Sequence, residues 1–385
     1  MAVGQSRPVW GAIVRPVTSL AVRAPGRVNL IGEHTDYNSG YVLPVAIDLG
    51  ITIELEPTAD RRIELTLAVD GRRASIDLDA IGRPAEDWTD YVAGTAWALA
   101  DAGATLSGFR GRLTTDLPIG AGLSSSAALE LAVAWALGGG AAPLDGRLAV
   151  ARAAQRAENE YVGVACGLMD QYAVTFGEAG HALLLDCRAR THRGIDLPDE
   201  LALVVVDSGV RRRLADSGYA DRRAACERAV VQVRAVAPGV ESLRDVTPEL
   251  LERARPEMDA EAYRRARHVV TENGRVLAAA AAFEAGDLDT VGRMFAASHV
   301  SMRDDFDMST PEIDRLVDLA AAVPGVVGSR LTGGGFGGAT INLVLEASVP
   351  DLVAAVAAGY RTPDGGPATV RRVVASVGVG LVGPA

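Results

Sequence analysis

Four short stretches of this 385-residue chain hold side chains in patterns that could do chemistry. In the first, residues 24–40, Glu33, His34, Thr35 and Asp36 stand together beside glycines and an Asn-Ser-Gly turn. Carboxylates and imidazole each pair with one or two hydroxyls in fixed directions, so the cluster suits a neutral sugar. A plain solvated loop remains the alternative. Zinc fits poorly, because no second His stands at helical spacing.

The second stretch, residues 117–137, reads LPIGAGLSSSAALELAVAWAL. Gly120, Ala121, Gly122 and Leu123 make a tight turn, and Ser124, Ser125 and Ser126 then open a run of strong helix formers. A helix start presents backbone N–H groups without intrahelical partners and carries about half a positive charge, which makes an anion site. Ser124 could be an ordinary helix cap, but three consecutive hydroxyls exceed what capping needs. Only Glu130 interrupts the apolar residues that follow, so the helix is expected to be buried and its start rigidly placed. The chain contains no lysine, and all 38 basic residues are arginine. Phosphate loops that depend on a lysine are therefore excluded.

In the third stretch Asp170 lies between Met169 and Gln171, among small and apolar residues. A carboxylate buried there needs a partner or a job, although capping a helix through Phe176 would also account for it. The fourth, residues 328–345, places five glycines in six positions between two strand-like runs. Glycine at that density allows close backbone approach, for which a loop against a ligand is one candidate and a flexible surface turn the other.

The elements that must position these residues follow from pattern. Strands are expected over 21–24, 41–45, 51–55, 113–117, 181–186 and 201–207, with a hairpin over 61–80. Helices are expected over 88–102, 148–161, 216–236, 248–255, 260–285 and 311–322. Glu158 and Glu160 ride on the second of these helices. Tyr219 follows the arginines at 211–213, where ordinary helix packing would explain it. The polar link 188–200 is the expected domain boundary, dividing the chain into 1–187 and 188–385, with the last strand free to return to the first lobe.

Composition narrows the partners. The formal charge is −11 with no basic block, which argues against nucleic acid. Cys166, Cys187 and Cys226 are odd in number and lack CxxC spacing, as expected in a reducing compartment. Arg7, Pro8, Arg15 and Pro16 break up the start of the chain, and no apolar run reaches the roughly 18 residues of a membrane span. A soluble cytoplasmic protein is expected; the sequence leaves the oligomeric state open and is compatible with a monomer.

Together, GRVNLIGEHTDY from Gly26, PIGAGLSSSAA from Pro118 and LTGGGFGGA from Leu331 resemble, in order and spacing, the three signature motifs of the GHMP small-molecule kinases. The first resembles the galactokinase signature, and CGLMDQ from Cys166 and SHVSMRDDFDMSTPEID from Ser298 are similar to segments of the same family. Asn38-Ser39-Gly40 departs from the usual Asn-Gly-Gly, and Ala339 stands where cysteine is common. The resemblance implies a two-lobed α+β kinase with its active site in the cleft. It implies ATP on Gly120, Ala121, Gly122, Leu123, Ser124, Ser125 and Ser126, and Mg²⁺ on Ser126 and Glu158. Glu33, His34, Thr35, Asp36 and Tyr219 would hold galactose. Asp170 would be the base, with Arg27 beside it, and phosphate would pass to the anomeric hydroxyl. A kinase for N-acetylgalactosamine or arabinose, or a non-catalytic galactose and ATP sensor, would share much of this pattern.

Overall fold

The computed structural model describes residues 19–118, 120–211 and 218–383. Arg7, Pro8, Arg15, Pro16, Ile119 and the stretch 212–217, which holds two of the arginines and the expected start of a helix, lie outside the described residues.

The first half of the chain builds β1 (Leu20–Asn29), β2 (Tyr41–Val42), β3 (Pro44–Pro57), β4 (Arg62–Leu67), β5 (Arg73–Asp77), α1 (Thr89–Asp101), β6 (Phe109–Thr115), α2 (Ser125–Leu137), α3 (Arg147–Arg156), α4 (Met169–Phe176) and β7 (His181–Asp186). The second builds β8 (Thr191–Asp196), β9 (Leu201–Asp207), α5 (Tyr219–Val233), α6 (Pro248–Ala254), α7 (Ala260–Ala285), α8 (Leu288–Asp304), α9 (Pro311–Ala321), β10 (Val326–Thr332), β11 (Ala339–Leu345), α10 (Val349–Gly359), β12 (Thr369–Val373) and β13 (Gly380–Val382). Among the described residues the strands form three sheets, ordered β13-β1-β3-β6-β4-β5, β10-β11-β9-β12 and β2-β7-β8. The final strand, β13, pairs antiparallel with β1. Among the described residues no helix is long and apolar enough to cross a membrane.

Helix α2 runs through the main core, with every residue from Ala127 to Leu137 buried, which explains its lack of a polar face. That same core takes in Leu203, Val205, Val276, Phe295 and Ile341, so apolar packing continues across both halves of the chain. Helix α7 is capped as its sequence suggests: the Asp259 carboxylate accepts from Ala262 N at 2.8 Å, and Gly286 ends it in a left-handed turn.

Several expectations need correction. The first strand does not stop at Ala24 but continues to Asn29, because Val28 and its neighbours pair with Val45 on β3. The polar link 188–200 contains β8, an edge strand with mostly exposed side chains that pairs with β7 along its whole length. Helix α3 ends at Arg156 and passes into a π-helical turn, Ala157–Val162, that carries Glu158. Helices α8 and α10 have no counterpart in the pattern reading. Gly292 within α8 lies against β10, where an added Cβ would sit 2.3 Å from the Val327 carbonyl oxygen, so a residue that weakens the helical pattern is the one that lets the helix pack.

Candidate active site

Strand β1 is irregular between Pro25 and Arg27, where its register on β3 shifts. Gly26 occupies the irregularity because a Cβ there would lie 2.7 Å from the Leu123 carbonyl oxygen. The serine loop therefore packs directly on the strand, and Arg27 N donates to Leu123 O at 3.1 Å. A bulge of this kind also re-aims the next side chain. Arg27 Nη1 donates to Gly122 O at 2.6 Å, while Nε and Nη2 fork onto Asp170 Oδ1 and Oδ2, both at 2.8 Å.

Ser124 heads α2 in a left-handed conformation, φ 57°, and makes no side-chain cap. Its hydroxyl instead donates to Asp170 Oδ2 at 2.5 Å. With the cap hydroxyl committed to a catalytic candidate, the first N–H groups of the helix are left for whatever occupies the cavity. The fourth motif buttresses this loop from behind: a Cβ on Gly333, φ +82°, would lie 2.8 Å from Gly122 O, and one on Gly338 3.2 Å from Ala121 O. The glycines thus permit loop-on-loop packing rather than a flexible turn.

A single cavity is lined by Arg27, Glu33, His34, Asp36, Gly120, Gly122, Leu123, Ser124, Ser125, Ser126, Glu158, Asp170 and Tyr219, joined by Val164, Cys166, Gly167, Met169, Gly333 and Gly334. Two residues expected at the site are not among those lining it. The Thr35 hydroxyl faces inward to the Gly32 and Tyr41 carbonyl oxygens, at 2.8 and 2.6 Å, and so shapes its own loop. Ala121 is buried beneath the serine loop.

On the side of Glu33 to Asp36, His34 also has positive φ, 63°, and its Nδ1 lies 2.8 Å from the Tyr37 hydroxyl. Its ring sits 5.0 Å from that of Tyr219, which opens α5. Burial first, and the nearby Asp170 charge second, push the Asp36 carboxyl up to about 6. Gly167 is required beside it, since a Cβ there would overlap Asp36 Oδ2. Burial also raises Glu33 above the usual carboxylate range, against the pull of the Arg330 guanidinium.

On the serine side, Glu158 accepts from Gln171 Nε2 at 2.7 Å and from the Cys166 thiol at 3.3 Å, and Ser126 lines the cavity with it. All three of these neighbours are neutral. Burial, with Asp170 next, lifts this carboxyl to about 7. Gln171 Nε2 also reaches Glu130, 3.1 Å away inside α2, which burial and the Glu158 charge drive well upward. Among the described residues no three His, Cys, Asp or Glu converge as a metal cage. A buried carboxylate with neutral partners beside a hydroxyl and a helix start nevertheless fits Mg²⁺, which takes one or two carboxylates and completes its shell with water and phosphate.

Sequence reasoning missed three members of this arrangement. Gln171 joins Glu158 to Glu130, and its signal was its place next to Asp170. Arg211 forks onto Asp207 at 2.6 and 2.7 Å, and its Cδ lies 3.0 Å from where a Gly120 Cβ would be, so a guanidinium flanks the serine loop. Arg330 is fully buried and holds Glu33. A lone arginine inside an apolar strand was the available signal.

Residues 15–57 match the galactokinase galactose-binding signature, 90–178 the N-terminal domain of the GHMP kinases and 279–362 their C-terminal domain. The galactokinase of Roseiflexus sp. (strain RS-1) is 47% identical over 366 residues, covering 94% of this chain and 92% of its own. The chain belongs to the galactokinase family of GHMP kinases. A second galactokinase, from Chloroflexus aggregans, is 45% identical over 370 residues, 95% and 94% of the two chains. The crystal structure of Lactococcus lactis galactokinase complexed with galactose superposes with a TM-score of 0.88 at 34% identity over 94% of each chain. The α+β GHMP kinase fold expected from the motifs is the fold of this galactokinase-family chain.

Proposed function

We propose that this enzyme transfers the γ-phosphoryl group of ATP to the anomeric hydroxyl of galactose, releasing galactose 1-phosphate and ADP. The observation that carries the reading is the convergence, in one cavity, of a helix start suited to phosphate, an Arg27–Asp170 pair, and a cluster suited to sugar hydroxyls. The carboxylate of Asp170 is held by Arg27 on both oxygens and by Ser124 on one, which leaves an oxygen lone pair to accept the proton of the attacking hydroxyl. Arg27 stands where negative charge builds on the transferring group. Glu33, His34, Asp36 and Tyr219 orient the sugar, and backbone N–H groups around Gly120, Gly122 and Ser124 to Ser126 receive the phosphates.

Ser126 and Glu158 would hold Mg²⁺, which, when bound, supplies charge neutralisation at the β- and γ-phosphate oxygens. Every side chain in the scheme comes from one copy, so the reading needs no partner chain. Three free cysteines suit a reducing cytoplasm.

The test is ADP release on a panel of sugars. A site built around an axial hydroxyl leaves its own polar groups unpaired when that hydroxyl moves, at about 1–3 kcal/mol each, or roughly 5- to 150-fold. Galactose should far exceed its C4 epimer glucose in kcat/KM. Comparable values for the two, or a preference for N-acetylgalactosamine, would refute the assignment of substrate.

A further inference from the structure

We infer that Arg330 is a positioning residue for sugar recognition, fixing the Glu33 carboxylate and the loop that carries it so that the open lone pairs of Glu33 face the cavity. The inference rests on the reading of Glu33 as a sugar ligand.

Both grips on the Glu33 side chain come from the far end of the chain. Arg330 Nη2 donates to Oε2, and Gly333 N donates to Oε1 at 3.2 Å. Each carboxylate oxygen has two lone pairs, so one grip on each leaves one on each free, and Glu33 lines the cavity. Arg330 does more than hold the side chain. Its Nη1 donates to the Leu30 carbonyl oxygen at 2.8 Å, at the point where the loop leaves β1.

Behind the guanidinium lies Glu272 of α7, with Oε1 3.7 Å from Arg330 Nη2. That same oxygen accepts from Gly32 N at 3.0 Å and from Ser298 Oγ at 2.6 Å, while Arg275 Nε donates to Oε2 at 2.6 Å. The Leu30 carbonyl, the Gly32 N–H and the Glu33 carboxylate are therefore all held by one buried Arg330–Glu272 pair.

Stability alone does not account for such an arrangement. Two charges taken wholly out of water repay their desolvation only with excellent geometry, and apolar residues of similar volume often serve stability as well. What a guanidinium fork supplies and an apolar side chain cannot is direction at a carboxylate.

Arg330→Lys keeps the charge and loses the fork. The expected result is a galactose KM raised about tenfold or more, with ATP KM and kcat each within about threefold of the parent. On single-deoxy galactoses, the Arg330→Lys deficit should vanish for the sugar lacking the hydroxyl that Glu33 serves. That sugar is identified independently as the one on which Glu33→Gln loses its effect. A deficit spread equally over all the deoxy sugars, or confined to kcat, overturns the inference. A Glu33→Gln defect that Arg330→Lys does not share also overturns it, while leaving Glu33 as a ligand. A Glu33→Gln protein with normal galactose KM removes the ligand reading and the inference together. Should Arg330→Lys not fold, the double variant Arg330→Met with Glu272→Gln neutralises both members of the pair, and it must show the same selective loss.

Discussion

Asp170→Asn exchanges one carboxylate oxygen for an amide N–H at nearly constant volume. Three donors point at that carboxylate: Arg27 Nε and Nη2, each at 2.8 Å, and Ser124 Oγ at 2.5 Å. The asparagine oxygen can keep one arm of Arg27. The amide nitrogen then meets the other arm donor to donor, while the Ser124 hydroxyl can rotate to accept. One charge-assisted bond is lost, worth about 1.5–3 kcal/mol where fully buried. Asp170 is 26% exposed, so the lower part of that range applies, and Arg27 retains the Gly122 carbonyl oxygen. Melting should fall by only a few degrees.

The catalytic loss should be larger. A positioned base is worth roughly 10²–10⁴-fold, or about 2.7–5.5 kcal/mol of barrier. Steady-state ADP release should show kcat lower by at least about 100-fold, while calorimetry shows galactose and nucleotide still bound. Phosphoryl transfer is loose, so alignment alone could carry most of the rate. Turnover within about threefold of the parent, with both ligands bound, would refute the base and leave Asp170 as a sugar-positioning group.

Glu158→Gln should raise the Mg²⁺ concentration needed for half-maximal activity and lower kcat, with galactose binding unchanged by calorimetry; an unaltered Mg²⁺ titration removes Glu158 from the metal site. The Asp36 carboxyl, at about 6 in the folded chain against an ordinary 3.8, contributes stability that is present below about pH 3.8 and lost as pH rises through 6. Asp36→Asn should therefore raise the ligand-free melting temperature near neutrality, yet also flatten any acid loss of galactose kcat/KM below about pH 6. A melting temperature that does not rise at pH 7.5 contradicts that sign. Gly333→Ala places a methyl 2.8 Å from Gly122 O at φ +82° and incurs a left-handed penalty of about 1–2 kcal/mol. Because the contact is with the serine loop, nucleotide KM should rise more than galactose KM, and the reverse order would argue against the buttressing role.

The sequence by itself determined the local structure of this protein. Glycines at 120 and 122, three serines and an apolar run behind them were enough to predict a tight turn opening a buried helix, because turn preference, helix propensity and burial periodicity all act within a few residues. The extent of α7 and the hairpin of β4 and β5 were legible for the same reason. Only the tertiary structure decided which distant groups meet. Arg27 finds Asp170 across 143 positions and Glu33 finds Arg330 across 297, and neither partner carries a local signal for the other. Ser124 looked like a cap and became a hydrogen-bond donor to Asp170, because packing of the loop on β1 at Gly26 brought a carboxylate within its reach. Helix α8 is decided by tertiary structure for a related reason: Gly292 lowers its propensity but admits β10, and burial against a strand outweighs a penalty of about 1 kcal/mol.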